Sequence, residues 1–309
     1  MFFEGSEKKV EVTVTEHAPN LRSLGKDFWA DVVAHSRAEI ISSIHNEECD
    51  AYLLSESSLF VWDRRFLMIT CGETTLIDGI LRFTQEVPEK DIALVCYQRK
   101  NEYRPRLQAT TFEDDIARLH QRLPGKAFRV GYLDSHHYNI FHTARPYEAR
   151  PADTACELLM YHIRGPISDY LKNEGQTREG IRERLELDRL FEGYTLDDFV
   201  FDPVGYSLNA IRGPFYATIH ITPQTTNSYV SFETNRPSDA EAHGVLSRLL
   251  EILQPVSWNV VGFNSQPVMP ELPKMMRLGA NEWTLDCGYR VLYHHYQQSD
   301  QCDVFSYNL

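Results

Sequence analysis

Four residues of the types that carry out nucleophilic and proton-transfer chemistry occur in two similar settings. Ser57 and Cys71 lie 14 residues apart, and Ser207 and His220 lie 13 residues apart. In each setting the serine opens a strand-like run, a short turn follows, and the second residue lies on the next such run. Two related halves that face each other would bring the four side chains together. The set favours a hydrolase or a lyase, but serines at turns and cysteines in strands are also common structural residues.

Motifs for several other chemistries are missing from the chain. It contains no GxSxG elbow, no HExxH, no GxGxxG after a strand and no GxxxxGK[ST] loop. The six cysteines are scattered without a CxxC, which predicts free thiols in a reducing compartment. The pairs His136-His137 and His294-His295 lie on strand-like runs, where adjacent side chains point to opposite faces, so we expect no metal site at either pair.

The composition narrows the class of protein further. The 309 residues include 31 Lys plus Arg and 44 Asp plus Glu, so the formal charge is 31 − 44 = −13. This acidic balance argues against nucleic acid or an anionic membrane as a partner. No apolar run approaches the roughly 20 residues of a membrane span. The N-terminus carries acids where a secretion signal would be basic, which predicts a cytosolic protein.

Periodicity predicts helices alternating with strands in both halves of the chain. Helices are expected over 26–46, 74–87, 111–123, 153–164, 178–191 and 238–253. Strands are expected over 9–16, 58–62, 65–71, 91–98, 126–133, 137–144, 200–211, 215–222, 229–234, 256–263 and 282–297. Many neighbouring strands are joined by turns too short for a parallel crossover, so the sheets should be mainly antiparallel and the fold α+β. No Gly-, Ser- or Pro-rich linker divides the chain, which predicts one domain over 1–309.

A weak internal repeat relates the two halves. In the first half, Ser57 opens a strand-like run, a turn follows at Asp63-Arg64, and the next run ends at Cys71. In the second half, Ser207 opens such a run, a turn follows at 212–214, and the next run carries His220. The two sets of features align in order. After that point the match loosens, because an extra strand, YVSFETN, precedes the helix over 238–253. Glu4, Glu7 and Glu11 are spaced for one helix face, or the last two for one strand face, and a solvated acidic surface is the commoner explanation of such spacing.

Seven short segments, in order along the chain, resemble eukaryotic S-adenosylmethionine decarboxylase. They are FFEGSEK (2–8), LLSESSLFV (53–61), RRFLMITCGETTL (64–76), YQRKN (97–101), DPVGYSLN (202–209), YATIHITP (216–223) and YVSFETN (229–235). The resemblance implies a four-layer αββα sandwich, in which two mainly antiparallel sheets pack face to face with helices outside. Relatives include monomers, homodimers and heterodimers, so a homodimer, or a heterodimer with a paralogue, is compatible with the resemblance.

The resemblance implies a precursor that cuts itself between Glu56 and Ser57, giving chains 1–56 and 57–309. The Ser57 hydroxyl would attack the preceding carbonyl, and β-elimination of the resulting ester would convert residue 57 to dehydroalanine and then to a pyruvoyl cofactor. His220 would handle the proton of the elimination and Ser207 would assist. The pyruvoyl group would form a Schiff base with S-adenosylmethionine and accept electrons as CO₂ leaves. The product would be the aminopropyl donor for spermidine and spermine synthesis.

The resemblance also implies roles for residues around this centre. Cys71 matches the acid that reprotonates the substrate α-carbon, and Phe3 and Phe201 match the aromatics that sandwich adenine. The remaining residues carried over to the substrate site are Glu4, Leu54 and Gln224. Glu7, which borders that site, is carried over as a catalytic residue.

Two departures from the family pattern concern binding. Gln224 stands where the family has a glutamate that binds both ribose hydroxyls, so nucleoside binding should be weaker by about 1–2 kcal/mol. The acids that hold the activator putrescine in animal members match Glu11, Asp153, Glu157 and Glu233. The lysine beside those acids is replaced by Ile69 and a neighbouring serine by Gln98. A diamine, or a basic side chain such as Arg99, could supply the missing charge.

Two other functions remain to be weighed against an active decarboxylase. An inactive paralogue that activates a partner decarboxylase would suit the altered ribose and diamine sites. It would not, however, need Ser57, Cys71, Ser207 and His220 together. A Cys-His hydrolase using Cys71 and His220 would not explain the seven matching segments.

Overall fold

The chain folds into two eight-stranded antiparallel sheets with helices on their outer faces. A computed structural model describes residues 3–132, 136–150, 153–225, 227–237, 239–267, 269 and 272–300. No helix in these ranges is long and apolar enough to cross a membrane.

The first sheet comes from the N-terminal half of the chain. Its strands are β1 (Lys8–Val14), β2 (Ile40–His45), β3 (Asp50–Leu54), β4 (Ser57–Val61), β5 (Arg65–Thr70), β6 (Ile92–Lys100), β7 (Gly125–Gly131) and β8 (His137–Thr143). They lie in the order β2-β3-β4-β5-β1-β6-β8-β7. The helices of this half are α1 (Gly25–His35), α2 (Leu76–Glu86) and α3 (Phe112–His120), and short 3₁₀ turns span Arg22–Leu24, Glu89–Asp91 and Pro105–Leu107.

The second sheet repeats the same topology. Its strands are β9 (Ala155–Tyr161), β10 (Thr195–Val200), β11 (Tyr206–Arg212), β12 (Phe215–Thr222), β13 (Tyr229–Thr234), β14 (Ser257–Phe263), β15 (Met275–Thr284) and β16 (Arg290–Gln298). They lie in the order β10-β11-β12-β13-β9-β14-β16-β15. The helices of this half are α4 (Gly165–Lys172), α5 (Arg178–Arg184), α6 (Leu187–Leu190) and α7 (Ala240–Leu253).

Alternation along the central strands explains the four layers. In β1, KKVEVTV, the side chains of Val10, Val12 and Val14 belong to the core beneath the first set of helices. Because successive side chains of a strand point to opposite faces, Lys9 and Glu11 face the other sheet. Two further apolar clusters contain residues of both sheets and hold the sheets together. The expected αββα sandwich is therefore confirmed, and its inner layer contains many polar groups.

Several element boundaries differ from those expected. The segment 153–164 is strand β9 and not a helix, because its run of apolar residues is buried on both faces of a central strand. The helix expected over 26–46 ends at His35, and Ile40 begins the edge strand β2, whose side chains are alternately half-buried and exposed. The expected strands 200–211 and 282–297 are each divided between two strands, and the helix over 178–191 is α5 followed by α6.

The internal repeat exists, but its alignment is shifted by one strand from the one expected. The two strand orders make β4 equivalent to β12, and β5 equivalent to β13. Strand β11, which carries Ser207, therefore corresponds to β3 and not to β4. The segment YVSFETN is the true counterpart of β5. The similar hairpin outlines misled the sequence alignment, because every strand pair in this region is antiparallel and closely connected.

Candidate active site

The Glu56–Ser57 peptide lies in the turn that joins β3 to β4. Ser57 has a φ of 131°, a conformation that side chains other than glycine rarely adopt. Its hydroxyl is buried and has no hydrogen-bond partner among the described residues. The carbonyl oxygen of Glu56 accepts the backbone N–H of Cys71 at 3.0 Å and the Cys71 thiol at 3.4 Å. A strained peptide whose carbonyl faces two donors is suited to nucleophilic attack.

His220 lies on β12 with both ring nitrogens in contact with hydroxyl groups. Its Nδ1 is 2.8 Å from Ser207 Oγ, and its Nε2 is 2.9 Å from Thr218 Oγ1 and 3.2 Å from Ser58 Oγ. The Ser58 hydroxyl also donates to Asn209 Oδ1 at 2.6 Å. Burial lowers the pKa of His220 to about 3, so the imidazole is neutral and can accept a proton at physiological pH.

The structure thus brings Ser207 and His220 together, and the imidazole contacts the hydroxyl of Ser58, the residue that follows the Glu56–Ser57 peptide. The Ser57 hydroxyl itself has no hydrogen bond to His220. Sequence reasoning missed Ser58, Thr218 and Asn209. The alternation of side chains along β11 and β12 could have indicated two of them. Asn209 and Thr218 are paired across the hairpin, two residues along from the pair Ser207 and His220, and therefore lie on the same face.

Cys71 immediately follows β5 and is buried beside acidic groups. Burial, followed by the nearby carboxyl groups of Glu56 and Glu7, raises the pKa of its thiol well above the usual value. The thiol therefore stays protonated at neutral pH, which suits a proton donor and not a nucleophilic thiolate.

The N-terminal segment approaches this centre from one side. The backbone carbonyl of Glu4 accepts the Gly72 N–H at 2.8 Å, and its buried carboxylate accepts the Arg104 N–H at 3.0 Å. Gly72 has a φ of 65°, and a Cβ there would lie 3.1 Å from the ring of Phe3 and 2.8 Å from Glu56 Oε2. Glycine is therefore required at position 72, where the Phe3 ring meets the turn that joins β3 to β4.

The other residues expected at the substrate site are Phe201, Gln224 and Leu54. Phe201 packs against Phe199 with ring centroids 4.9 Å apart. Gln224 is half-buried just after β12. The side chain of Leu54 is fully buried in the helix-side core, so the contact expected of Leu54 with a ligand between the sheets would be made by its backbone.

Glu7 connects the two sheets just before β1. Its carboxylate accepts the Ser231 hydroxyl at 2.5 Å and the Tyr229 hydroxyl at 3.2 Å. Burial raises the pKa of Glu7 to about 7. Glu11 lies within β1, so of the two alternatives for the spaced glutamates, a helix face or a strand face, the strand face is correct for Glu11. The commoner alternative, a solvated face, is wrong for Glu4 and Glu11, which are both buried.

Lys9 fills the centre of the acidic cluster. Its Nζ lies 2.7 Å from Glu157 Oε1 and 2.8 Å from Glu233 Oε1, and all three side chains are buried. The two carboxylates raise the pKa of Lys9 in spite of its burial, so the ammonium remains charged.

The remaining acids of the cluster have partners of their own. Glu11 is 3.6 Å from Arg65, and Asp153 accepts the Tyr147 hydroxyl at 2.5 Å. The suggestion that Arg99 supplies the charge is wrong. Arg99 binds Glu102 and Asp115 at 2.5 and 2.7 Å on the opposite face of β6.

The position of Lys9 explains why Ile69 and Gln98 are tolerated. In the sheet, Lys9 is paired with Ile69 on β5 and with Gln98 on β6. Paired side chains on one face lie about 5 Å apart. Lys9 therefore brings a basic side chain next to position 69, where the resemblance implies a lysine. Among the described residues, no group of three potential metal ligands occurs.

Comparisons with known proteins agree with this architecture. The family model described as adenosylmethionine decarboxylase matches residues 1–307. S-adenosylmethionine decarboxylase proenzyme of Leishmania donovani is 35% identical over 280 residues, which cover 84% of this chain and 73% of the relative. The Dictyostelium discoideum proenzyme is 30% identical, with 98% of this chain and 88% of the relative covered. The solved Trypanosoma brucei AdoMetDC-delta26 monomer superposes with a TM-score of 0.61 at 25% identity, covering 78% of this chain and 98% of that one.

Proposed function

Since the chain belongs to the adenosylmethionine decarboxylase family, we propose that it is a proenzyme that cleaves itself at Glu56–Ser57 and then decarboxylates S-adenosylmethionine. The observation that carries the proposal is the strained, buried Ser57 beside a carbonyl that already accepts two hydrogen bonds from Cys71. The product would serve as aminopropyl donor in polyamine synthesis.

The first step is an N-to-O acyl shift. Ser57 Oγ attacks the carbonyl carbon of Glu56, the C–N bond breaks, and the hydroxyl proton passes to the departing nitrogen, so that an ester and a free amine result. The Cys71 N–H is placed to stabilise the developing oxyanion, and relief of the φ of 131° at Ser57 favours the change. No partner has to be displaced from the Ser57 hydroxyl within the described structure.

The second step is β-elimination from the ester. A base removes the Cα proton of residue 57 while the Oγ–Cβ bond breaks, which releases the carboxylate of Glu56 and leaves dehydroalanine. His220 is the candidate base, since its neutral ring contacts the side chain of the next residue, Ser58. Ser207 holds Nδ1 and so fixes the orientation of the imidazole. Addition of water and loss of ammonia then give the pyruvoyl group.

Members of this family are generally pyruvoyl-dependent, and a pyruvoyl group at residue 57 would supply an electron sink for loss of CO₂. The residues around it fit the subsequent proton transfer. The protonated Cys71 thiol lies beside the Glu56 carbonyl and can deliver a proton next to residue 57. Phe3, Glu4 and Phe201 are the side chains we assign to the nucleoside, and Gln224 to its ribose.

We further propose that Lys9 takes the place of the putrescine that the acidic cluster would otherwise need. The ion pairs of Lys9 with Glu157 and Glu233 supply one positive charge to two of the four buried acids of the cluster. The decarboxylase should therefore be active without a diamine. We place the reaction in the cytosol, in keeping with the free thiols of the five cysteines that the structure describes. Ser57, Cys71, Ser207 and His220 all remain, so an inactive regulatory partner is the less favoured function.

Purified protein tests the proposal directly. Denaturing electrophoresis should resolve fragments 1–56 and 57–309, the larger without a free N-terminal amine, and labelled S-adenosylmethionine should release CO₂. A single uncut band without CO₂ release after long incubation would favour the regulatory paralogue.

A further inference from the structure

A buried ammonium group on the far side of β1 from Ser57 has no place in the chemistry above. Lys100 ends β6 and is only 2% exposed. Among the described residues, no acceptor lies within hydrogen-bonding distance of its Nζ. The Nζ lies over the rings of Tyr161 and Tyr138, at 5.0 and 5.4 Å from their centroids. These contacts leave all three N–H donors of the ammonium without an oxygen.

The two nearest acids are already occupied. Glu7 accepts the Lys100 backbone N–H through its carbonyl, but both its carboxylate oxygens accept hydroxyl groups of Ser231 and Tyr229. Both carboxylate oxygens of Glu157 are likewise used, by Lys9 and Tyr138. An unpaired ammonium in the protein interior costs several kcal/mol, and burial accordingly lowers the pKa of Lys100 to about 7.

Other unsatisfied groups lie in the same cluster. The ring of His136 is 4.5 Å from that of Tyr161 and 5.0 Å from that of His295. His136 Nδ1 and the hydroxyl of Tyr293 are buried without partners among the described residues. Lys100 and His136 both lie beside the ring of Tyr161, and Tyr293 interacts electrostatically with Tyr161. Unsatisfied polar groups gathered in this way indicate a missing ligand or water, because buried polar groups are normally paired.

We propose that Lys100, His136 and Tyr293 form a binding site for a small, singly charged anion, such as a halide or a short carboxylate. The anion would accept from the ammonium and from the N–H or O–H of its neighbours. The nearby carboxylates of Glu7 and Glu157 would repel a second negative charge, so dianions such as phosphate should bind more weakly. The site contains none of the four residues assigned to self-cleavage and proton transfer, Ser57, Cys71, Ser207 and His220, and it does not depend on the decarboxylase proposal.

Bromide provides a direct test. Crystals of the full chain soaked in sodium bromide should show an anomalous peak within hydrogen-bonding distance of Lys100 Nζ. Ordinary water density at that position, with bromide only at the surface, would overturn the proposal. This measurement on the unaltered protein is decisive even if variants fail to fold.

Solution measurements give a second test with a matched control. At constant ionic strength set with sodium gluconate, bromide should raise the melting temperature of the protein by about 2 °C at ten times the dissociation constant, with little further rise above that concentration. Lys100→Met should abolish the shift. Lys126→Met should keep it, because Lys126 is exposed and pairs with Asp286. An equal bromide shift in Lys100→Met and the unaltered protein would place the anion elsewhere and refute the site.

Discussion

The backbone N–H of Cys71 and the carbonyl oxygen of Glu56 are 3.0 Å apart, so the residue that follows β5 holds the peptide that precedes β4. The same residue presents its thiol to that oxygen at 3.4 Å. One residue can therefore act twice, first through its backbone on the precursor and later through its side chain on the substrate. The two functions can be separated, because a side-chain substitution leaves the backbone donor in place.

Replacement of Ser57 tests the cleavage site. Ser57→Ala removes the only hydroxyl that can form the ester, so the chain should remain a single band after days of incubation. Ser55→Ala is a suitable control, since Ser55 lies in the same turn and its hydroxyl only accepts the Glu39 N–H. That variant should be cut like the unaltered protein. Cleavage of Ser57→Ala at the same peptide bond would exclude the acyl shift.

The low pKa of His220 makes the pH dependence of cleavage distinctive. With a pKa of about 3, the imidazole is protonated only well below pH 4. Protonation of His220 should therefore not slow self-cleavage, followed by electrophoresis, between pH 5 and 8, the range in which the carboxyl groups of Glu7 and Glu56 titrate because burial raises the pKa of each to about 7. An ordinary histidine base would lose activity as the pH falls through about 6.5. A decline with a midpoint near that value would show that the base is another group or that His220 is solvated during the reaction.

Substitution of His220 should stop the reaction at the ester. His220→Ala should slow elimination by about 10²–10⁴-fold, the usual contribution of a general base. Hydroxylamine, which cleaves esters and not ordinary peptide bonds, should then cut the accumulated intermediate at residue 57. Uncut protein that resists hydroxylamine would mean that His220 is needed for the earlier acyl shift.

Cys71→Ala separates proton donation from precursor cleavage. The backbone donor to Glu56 remains, so the precursor should still be cut, although more slowly without the thiol contact. Turnover of S-adenosylmethionine by the cleaved protein should fall by about 10²–10⁴-fold, and mass spectrometry should find residue 57 modified by misdirected protonation. Full turnover by Cys71→Ala would assign the donor role to another acid.

The resemblance to the family, and not local pattern, predicted the four layers of the fold. The alternation of KKVEVTV agrees with those layers, since three valines lie beneath the helices and the charged residues lie between the sheets. The same rule failed for β9, because a central strand buried on both faces carries no alternation and resembles a buried helix. Strand β2 was missed for another reason: Ile40, Ile41 and Ile44 also fit the spacing of a helix.

The cation of the acidic cluster could not be found from sequence alone. Lys9 and position 69, where the resemblance implies a lysine, are 60 residues apart in the chain but paired in the sheet. Register across strands is a long-range property that periodicity does not contain. The choice of Arg99 was wrong for the same reason, because it ignored which face of β6 that residue occupies.

Gln224 is expected to limit nucleoside affinity. A carboxylate accepts both ribose hydroxyls as charge-assisted hydrogen bonds, whereas an amide oxygen accepts them more weakly. Gln224→Glu should therefore lower KM for S-adenosylmethionine by about 5–30-fold, equivalent to about 1–2 kcal/mol. Gln224→Ala should raise KM with little change in kcat. An unchanged KM in both variants would mean that residue 224 does not contact the ribose.

Lys9 should make the enzyme independent of diamines, and its removal should restore that dependence. In Lys9→Leu, Glu157 and Glu233 lose their only basic partner among the described residues. Their mutual repulsion should reduce CO₂ release by about tenfold, or about 1.4 kcal/mol. Putrescine, which carries two ammonium groups, should restore much of that activity in Lys9→Leu and have no effect on the unaltered protein. Lys9→Arg keeps the charge and should behave like the unaltered protein. Stimulation of the unaltered protein by putrescine would show that Lys9 and a diamine act together, and that the ion pairs of Lys9 do not replace the activator.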